Sequence, residues 1–398
     1  MDKTLPDLPA IARLPSPVQP TEKLLAKLMN LSSDVGELFL SPMQPPAVYR
    51  NGRLIPVPSP ELPVLAPEHT MRIALDLIGE RPAVLARLKE EGSCAFSYFL
   101  PDSCRFRVLV FSQRGSYAAS LRIIPEAIPT FERLHLPEQL KQVVRSTEGL
   151  VLVTGPSGSG KSATTAALLN QIHTDLAPMI VTIEDPIEML FPHSKPPVLQ
   201  RELYRDIPSF AAGVRASRRL PPHVIFLSDL PDRETADLAL DAADSGYLVA
   251  CTLQTPDARR SVERLLRFFQ PEEESAVRAR LARTLRAVVS QRTLHPDEGA
   301  PAVRLFEILF STPRVCQCIA KGETGVLSLE EAIKEGEGYG MQTFEMAMKK
   351  ADRVPDRTGG PLTRMSLVEG FGESRCVKLH PGVRPRHMGP RLATRIKF

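Results

Sequence analysis

The sequence predicts an α/β fold, in which a parallel β-sheet covered by helices on both faces follows a smaller α+β region. Two observations support this prediction. From Gly149 onward, short apolar runs alternate with helical patterns, which is typical of parallel strands buried on both faces. Between residues 93 and 124, apolar and polar residues alternate instead, as they do in antiparallel strands with one buried face.

The first part of the chain divides into three predicted regions. Prolines recur through residues 1–20, which favours a flexible, extended arm. Residues 21–125 are expected to form the α+β domain, and 126–136 a linker. The α+β domain carries an Asn51-Gly52 hairpin signal. Its predicted helices are 21–31, 72–77 and 83–91, and its predicted strands are 37–40, 47–50, 93–100, 105–113 and 116–124.

Residues 137–354 are predicted to form the α/β domain together with C-terminal helices. Its predicted strands are LVLVTG, MIVTIED, HVIFLSD and YLVACTL, and its predicted helices are 137–145, 163–173, 209–219 and 233–243. Residues 272–295 and 313–350 are expected to be mostly helical. Residues 355–398 form a basic tail, for which a disordered, solvated state is favoured over a surface-binding role.

Composition excludes several classes of protein. The 398-residue chain has a formal net charge of +4, too small to argue for a nucleic-acid partner. Its longest apolar runs are strand-sized, so no transmembrane segment is expected, and its N-terminus does not resemble a secretory signal. The six cysteines have no regular spacing, which indicates reduced thiols in a cytoplasmic protein.

Residues 155–162 match the phosphate-binding motif G-x-x-x-x-G-K-[ST] without a mismatch. The glycines let backbone N–H groups point at a phosphate, and the helix that begins at Lys161 adds its positive dipole end. We expect Lys161 to reach the β- and γ-phosphates of ATP and Ser162 to ligate Mg²⁺. The predicted nucleotide-binding residues of this loop are Gly155, Pro156, Ser157, Gly158, Ser159, Gly160, Lys161, Ser162 and Ala163.

Carboxylates follow two further predicted strands. Glu184 and Glu188 lie in the segment IEDPIE, and Asp229 ends the next strand. Ligands of open α/β sheets bind at this carboxyl edge, where Asp229 is placed to hold Mg²⁺ or to orient the attacking water. For Glu184 and Glu188, the spacing alone supports a functional site and a solvated, helix-capping turn equally.

The motifs TGPSGSGKSATTAALL, TIEDPIE, VIFLSDLPDRET and ADSGYLVACTLQT follow one another along the chain. In this order they resemble the type IV pilus retraction ATPases, the PilT branch of the type II/IV secretion ATPases. The segment RFRVLVFSQRGSYAASLRIIP is similar to the last strands of that family's N-terminal PAS-like domain. The resemblance covers roughly residues 30–350 and implies a RecA-like P-loop NTPase core behind a PAS-like domain.

The resemblance also implies a function. It suggests a hexameric ring whose ATP hydrolysis drives pilus disassembly through an inner-membrane platform protein. Asp229, Glu184 and Glu188 would be catalytic, and Arg107 and Arg122 would approach the phosphates of the nucleotide, where arginine forks stabilise the transferring phosphoryl group. Without the resemblance, a plain surface role would be preferred for both arginines.

Several positions depart from the family pattern. Asp229 replaces a glutamate, Ser228 a glycine and Pro231 an arginine, while Tyr247 and Gln254 replace two histidines. A catalytic group misplaced by about 1 Å can lower a rate on the order of 10²-fold. Gln254 is expected to bind a phosphate oxygen, but it supplies no positive charge. Slow hydrolysis, or none, is therefore a second hypothesis.

The competing functions are thus a retraction motor and a catalytically weak, ATP-binding paralogue that acts as an interaction or regulatory subunit. Cys316 and Cys318 are the only closely spaced cysteines, so the four-cysteine zinc module of assembly ATPases is not expected, which favours the retraction branch. The segment Arg314–Ile319 departs from the run that the family uses for retraction. A ring that translocates nucleic acid has little support.

Overall fold

The computed structural model describes residues 20–30, 35–50, 53–57, 64–101, 103–192, 196–294, 303–323 and 328–351. The predicted arm apart from Pro20, the basic tail and the two hairpin residues Asn51 and Gly52 lie outside these ranges. The described residues form two β-sheets, each with its own hydrophobic core, and Tyr204 packs against both cores. No helix among them is long and apolar enough to cross a membrane.

The first sheet is antiparallel and has the strand order β3-β2-β1-β6-β5-β4. The strands are β1 (Glu37–Leu40), β2 (Ala47–Arg50), β3 (Arg53–Pro56), β4 (Ser93–Leu100), β5 (Cys104–Gln113) and β6 (Ser116–Ile124). Arg50 faces Arg53 across β2 and β3, so the predicted hairpin is confirmed by its flanking strands. The alternation along β5 is also confirmed, because Phe106 and Val108 are buried while Arg107 is exposed.

Three helices accompany this sheet: α1 (Thr21–Met29), α2 (Pro67–Ile78) and α3 (Pro82–Glu91). The last two begin earlier than predicted, at Pro67 and Pro82. Proline is well suited to the first turn of a helix, where its missing N–H has no partner to lose. Both prolines therefore start these helices rather than precede them.

The second sheet has seven strands in the order β13-β12-β7-β11-β10-β8-β9, all parallel to their neighbours except β13, which is antiparallel to β12. The strands are β7 (Gly149–Thr154), β8 (Ile180–Glu184), β9 (Val198–Glu202), β10 (Val224–Leu227), β11 (Leu248–Leu253), β12 (Leu285–Leu294) and β13 (Val303–Phe310). Every residue of β7, β8, β10 and β11 is buried, which confirms the prediction of parallel strands covered on both faces.

Helices connect and flank the strands of this sheet. They are α4 (Phe131–Leu134), α5 (Lys141–Val144), α6 (Lys161–Leu176), α7 (Phe210–Ser217), α8 (Arg233–Asp244), α9 (Ala258–Leu266), α10 (Glu274–Thr284), α11 (Pro313–Lys321), α12 (Leu329–Glu335) and α13 (Phe344–Ala351), with 3-10 turns at Glu138–Leu140, Pro271–Glu273 and Gly336–Tyr339. The helices predicted at 163–173, 209–219 and 233–243 correspond to α6, α7 and α8.

The prediction that residues 272–295 are mostly helical is wrong for their second half. The helix α10 ends at Thr284, and residues 285–294 form the strand β12. This segment lies between β7 and β13, and its residues 287–291 are all buried, so the pattern does not alternate between buried and exposed positions. A short apolar run such as residues 287–289 does not distinguish a buried strand from a buried helix. Three further elements, β9, β13 and α9, are not predicted from the sequence.

A buried carboxylate joins the two sheets. Glu202, at the end of β9, is 2% exposed, and its Oε1 accepts a hydrogen bond from the backbone N–H of Ser97 on β4 at 3.2 Å. Its Oε2 accepts from the Ser97 hydroxyl at 2.6 Å and from the backbone N–H of Ile187 at 3.2 Å. Arg81 on α3 donates to the Ser97 carbonyl at 3.0 Å. These contacts hold the first sheet beside the carboxyl ends of β8 and β9.

Candidate functional site

The phosphate-binding motif forms the predicted strand–loop–helix unit. The loop begins at Gly155, directly after β7, and α6 begins at Lys161. Gly158 and Gly160 have φ values of 78° and 89°, a left-handed conformation that favours glycine. At Gly155, a Cβ atom would collide with the carbonyl oxygen of Gln291. The glycines are therefore required by the backbone path of the loop.

The Lys161 ammonium lies over this loop. Its Nζ donates hydrogen bonds to the carbonyl oxygens of Gly155 and Pro156, both at 2.9 Å. Burial lowers the pKa of Lys161, while the negative charges of Glu188 and Asp229 raise it in part. Both carboxylates are therefore close enough to the Lys161 ammonium to affect its pKa.

A cleft of about 720 Å³ opens in front of the loop, between the two sheets. It brings together most of the predicted site residues: Ser157, Gly158, Ser159, Gly160, Lys161, Ser162, Ala163, Glu184, Glu188, Asp229, Gln254, Arg107 and Arg122 all line it. Gly155 and Pro156 do not line the cleft and contact Lys161 instead. Residues far apart in the sequence thus meet at the carboxyl edge of the second sheet, as predicted for open α/β sheets.

Glu184 is a buried carboxylic acid at the end of β8. It is 6% exposed, and its Oε1 accepts hydrogen bonds from the Thr182 hydroxyl at 2.6 Å and from the Gln200 amide at 3.2 Å. Burial raises the pKa of Glu184 from 4.5 to about 7, despite these two donors. A carboxyl group with a pKa near neutrality can both accept and release a proton, as general acid–base catalysis requires.

Glu188 and two arginines face each other across the cleft. The Arg107 guanidinium donates to Glu188 Oε1 in an ion pair between the two sheets. Arg107 and Arg122 are directly opposite on β5 and β6, so both side chains project from the same face of the first sheet. Both arginines line the cleft in front of the phosphate loop, so the phosphate-facing role that the family resemblance implies stays a prediction for them.

Asp229 follows β10 and also lines the cleft. Its Oδ1 accepts a hydrogen bond from the backbone N–H of Leu230 at 2.8 Å. Burial raises its pKa, and the bond from Leu230 opposes this increase. The preceding Ser228 is also bonded: its hydroxyl accepts from the Asp185 N–H at 3.0 Å, and its carbonyl accepts from the Thr252 hydroxyl. Ser228 thereby connects the ends of β8, β10 and β11.

The two positions that replace the family's histidines lie at opposite ends of β11. Gln254 follows the strand, is exposed and lines the cleft. Tyr247 precedes the strand, where its carbonyl accepts a hydrogen bond from the Gly149 N–H at 2.9 Å. Tyr247 does not line the cleft, whereas Gln254 does. A strand of six residues separates its two ends by about 20 Å.

The structure adds site residues that the sequence analysis missed. Gln291 and Thr293 on β12 both donate to the carbonyl oxygen of Ser159, Thr293 at 3.2 Å, and so support the phosphate loop. Arg87 on α3 donates to Asp185 Oδ2 at 3.2 Å and lies 4.6 Å from the ring centroid of Tyr204. The helical assignment of residues 285–294 concealed Gln291 and Thr293, whereas the contact of Arg87 carries no sequence signal.

The Mg²⁺ ligands predicted from the sequence have suitable chemistry. Ser162 supplies a hydroxyl oxygen in the first turn of α6, and Asp229 supplies a carboxylate on the same cleft. Hard oxygen donors of this kind, together with phosphate oxygens, are the ligands that Mg²⁺ prefers. The donor set therefore fits the ion.

Comparisons with known proteins agree with this site. The family model described as "Type II/IV secretion system protein" matches residues 71–357. The chain is 37% identical over 321 residues to "Uncharacterized protein YggR" of Escherichia coli K12, covering 80% of this chain and 94% of that protein. It is 36% identical over 327 residues to the type IV pilus retraction ATPase PilT of Pseudomonas aeruginosa, covering 82% of this chain and 93% of that protein.

A solved structure shows the same fold. The crystal structure of the pilus retraction motor PilT with bound ADP is 34% identical in sequence and superposes with a TM-score of 0.68, over 85% of this chain and 97% of that one. The match confirms the α/β fold with a RecA-like core that the sequence predicts. The chain therefore belongs to the type II/IV secretion system protein family and is a P-loop ATPase homologous to PilT.

Proposed function

We propose that this protein is a Mg²⁺-dependent motor ATPase of the type IV pilus retraction class. The observation that carries the proposal is the convergence of Lys161, Glu184, Glu188, Asp229 and Arg107 on one cleft between two sheets. Phosphoryl transfer needs groups of this kind: a cation on the loop, carboxylates at the strand ends and arginines from a second sheet. The relationship to PilT supports the retraction class over other P-loop enzymes.

In this proposal, Lys161 and the backbone N–H groups of the loop bind the β- and γ-phosphates of ATP. Ser162 and Asp229 would hold Mg²⁺, whose charge would offset the negative charge of the phosphate oxygens. Glu184 or Asp229 orients the attacking water and accepts its proton, and Gln254 contacts a phosphate oxygen. Arg107 exchanges Glu188 for a phosphate and stabilises the transferring group.

The same proposal extends to the assembly. By its relationship to PilT, the chain would act as a homo-hexameric ring on the cytoplasmic face of the inner membrane, coupled to a platform protein of a pilus or secretion machine. Residues 21–125 and 137–354 would be its two domains. The ion pair between Arg107 and Glu188 supports a role for nucleotide binding in their relative position, because a phosphate would compete for the same guanidinium.

A catalytically weak, regulatory subunit is the second candidate, and the Asp229 environment favours it. Asp229 is one methylene shorter than the family's glutamate, and its Oδ1 is already bonded to its own chain at Leu230. Gln254 cannot supply the positive charge of a histidine. The slow hydrolysis that follows would suit a subunit that binds ATP to control a partner motor.

A steady-state ATPase assay distinguishes the two candidates. The wild type and the Asp229→Ala variant are compared in Mg²⁺-ATP, and the mass of the wild type in solution is measured alongside. A motor shows turnover that the substitution abolishes, and it has the mass of a ring. A monomer without turnover would refute the motor proposal, and turnover that is equally low in both proteins would support the regulatory subunit.

A further inference from the structure

Four buried hydroxyl groups form a hydrogen-bonded cluster next to the phosphate loop. Thr154 ends β7, Ser290 is on β12, Ser261 is on α9, and Thr255 lies between β11 and α9. The exposed fraction is zero for the first three and 7% for Thr255. The oxygen–oxygen distances are 2.8 Å for Thr154 and Ser290, 3.2 Å for Thr154 and Ser261, and 2.6 Å for Thr255 and Ser261.

Ser261 is the centre of this cluster because its hydroxyl contacts both Thr154 and Thr255. Its hydroxyl also lies 2.6 Å from the backbone carbonyl oxygen of Asp257, which can only accept. A hydroxyl donates one hydrogen bond and accepts two. The single Ser261 proton is shared between Thr154 and the Asp257 carbonyl, so Thr255 donates to Ser261. In the pair of Thr154 and Ser290, either hydroxyl can donate to the other.

Stability alone does not require these hydroxyls. The other residues of β7 between Gly149 and Thr154 are apolar, and replacing both partners of a buried hydrogen bond by apolar groups of similar shape is often nearly neutral. A hydrogen-bonded hydroxyl cluster differs from an apolar one in that it fixes directions and distances between the elements it joins. The elements joined here are the strand before the phosphate loop and the segment that follows β11.

Two members of the cluster are next to residues of the site in the chain. Thr154 directly precedes Gly155, and Thr255 directly follows Gln254. The segment is also anchored beyond Thr255, because Glu307 accepts a hydrogen bond from the Ala258 N–H at 2.7 Å. Gln254 therefore extends into the cleft from a short segment whose neighbouring residue is held against β7.

We propose that Ser261 is a positioning residue, which sets the distance between Gln254 and the phosphate loop. The inference rests on the proposed ATPase function. In that function, the hydroxyl cluster aligns Gln254 with the terminal phosphate of ATP. Ser261 itself does not line the cleft and so acts through Thr255 and Gln254.

The test compares Ser261→Ala with a matched control, Ser217→Ala. Ser217 is also a fully buried serine within a helix, and its hydroxyl donates to the Gly213 carbonyl four residues earlier at 2.8 Å, but its bond stays within α7. We expect Ser261→Ala to lower kcat about tenfold while KM changes less than about twofold, since small misplacements near the reacting atoms act mainly on the chemical step. Ser217→Ala should leave both constants within about twofold of the wild type.

A double-mutant cycle separates positioning from a general structural effect. If Ser261 acts through Gln254, adding Ser261→Ala to Gln254→Ala should lower kcat by less than about twofold further. Independent losses that multiply would overturn the inference. If Ser261→Ala does not fold, Thr255→Val and Thr255→Ser replace it: only the valine variant lacks the hydroxyl and should lose kcat.

Amide hydrogen exchange tests the inference independently of turnover. A non-hydrolysable ATP analogue with Mg²⁺ should slow exchange in residues 252–257 of the wild type and of Ser217→Ala, but not of Ser261→Ala. Absent turnover with this pattern intact would refute the proposed hydrolysis alone. No slowing in the wild type, or equal slowing in both variants, would overturn the positioning role whatever the ATPase result.

Discussion

Replacing Glu184 by glutamine should stabilise the protein above neutral pH and impair its catalysis. Glutamine retains an oxygen that can accept from both Thr182 and Gln200. Its amide group would face the backbone N–H of Glu188, which also donates to Glu184, and this cost offsets part of the gain but does not vary with pH. Burial raises the pKa of Glu184 from 4.5 to about 7. Since one pKa unit corresponds to about 1.4 kcal/mol, keeping the carboxylate ionised in the folded state costs about 3 kcal/mol above pH 7.

The sign of the pH dependence follows from proton binding. Between about pH 4.5 and 7 the folded protein holds a proton at Glu184 that the unfolded chain has lost, so the wild type loses stability as the pH rises through this window. The stability advantage of Glu184→Gln should therefore be small at pH 5, grow by about 1.4 kcal/mol per pH unit, and level off above pH 7.

The assay is thermal unfolding without nucleotide at pH 5 to 8.5, on the wild type, Glu184→Gln and the control Glu90→Gln. Glu90 is exposed on α3, and its substitution should change stability by less than about 0.5 kcal/mol throughout. For a chain of this size, the expected gain at high pH raises the Tm by several degrees. A Tm difference for Glu184→Gln that is independent of pH, or that shrinks as the pH rises, would refute the reasoning.

Three further predictions follow from the site and from the contact between the sheets. Lys161→Ala should weaken binding of a fluorescent ATP analogue by about 10–100-fold, because a charged hydrogen-bond donor to the phosphates is lost. An unchanged affinity would show that the nucleotide binds elsewhere. If the short side chain of Asp229 limits the reaction rate, Asp229→Glu should raise kcat about tenfold and Asp229→Asn should lower it. A lower kcat for both variants would show that the length of the side chain is not what limits the rate. Glu202→Gln should lower the free energy of unfolding by about 1–3 kcal/mol, because the amide group of glutamine would face N–H or O–H donors from Ser97 and Ile187. Thermal unfolding measures this loss. The control Ser97→Ala removes only the hydroxyl and should lower the free energy of unfolding by less.

The sequence predicts the carboxyl edge of the second sheet well. Lys161 begins α6, Glu184 ends β8 and Asp229 lies two residues after β10, and parallel strands bring such positions to one edge. For these residues, local periodicity is enough to indicate which side chains meet. The glycines of the phosphate-binding motif follow from backbone geometry alone, because the loop requires glycine at defined turns.

The remaining site residues depend on tertiary contacts without a local signal. Gln291 supports the phosphate loop from β12, a strand whose apolar run also fits a buried helix. Arg87 reaches Asp185 from a helix of the first sheet, 98 residues away in the sequence. Tyr247 and Gln254 belong to one family motif that spans the whole of β11, so they lie at opposite edges of the sheet, and of the two Gln254 lines the cleft.

The carboxylate of Glu202 has a consequence beyond joining two sheets. β4 is the last strand of its sheet, and an uncovered strand edge can pair with a strand of another molecule and start aggregation. At Ser97, Glu202 takes the outward N–H group, and Arg81 takes the outward carbonyl oxygen. The edge is thereby closed to β-strand addition at its centre, so the contact that joins the two sheets also protects the folded protein from edge-to-edge pairing with other molecules.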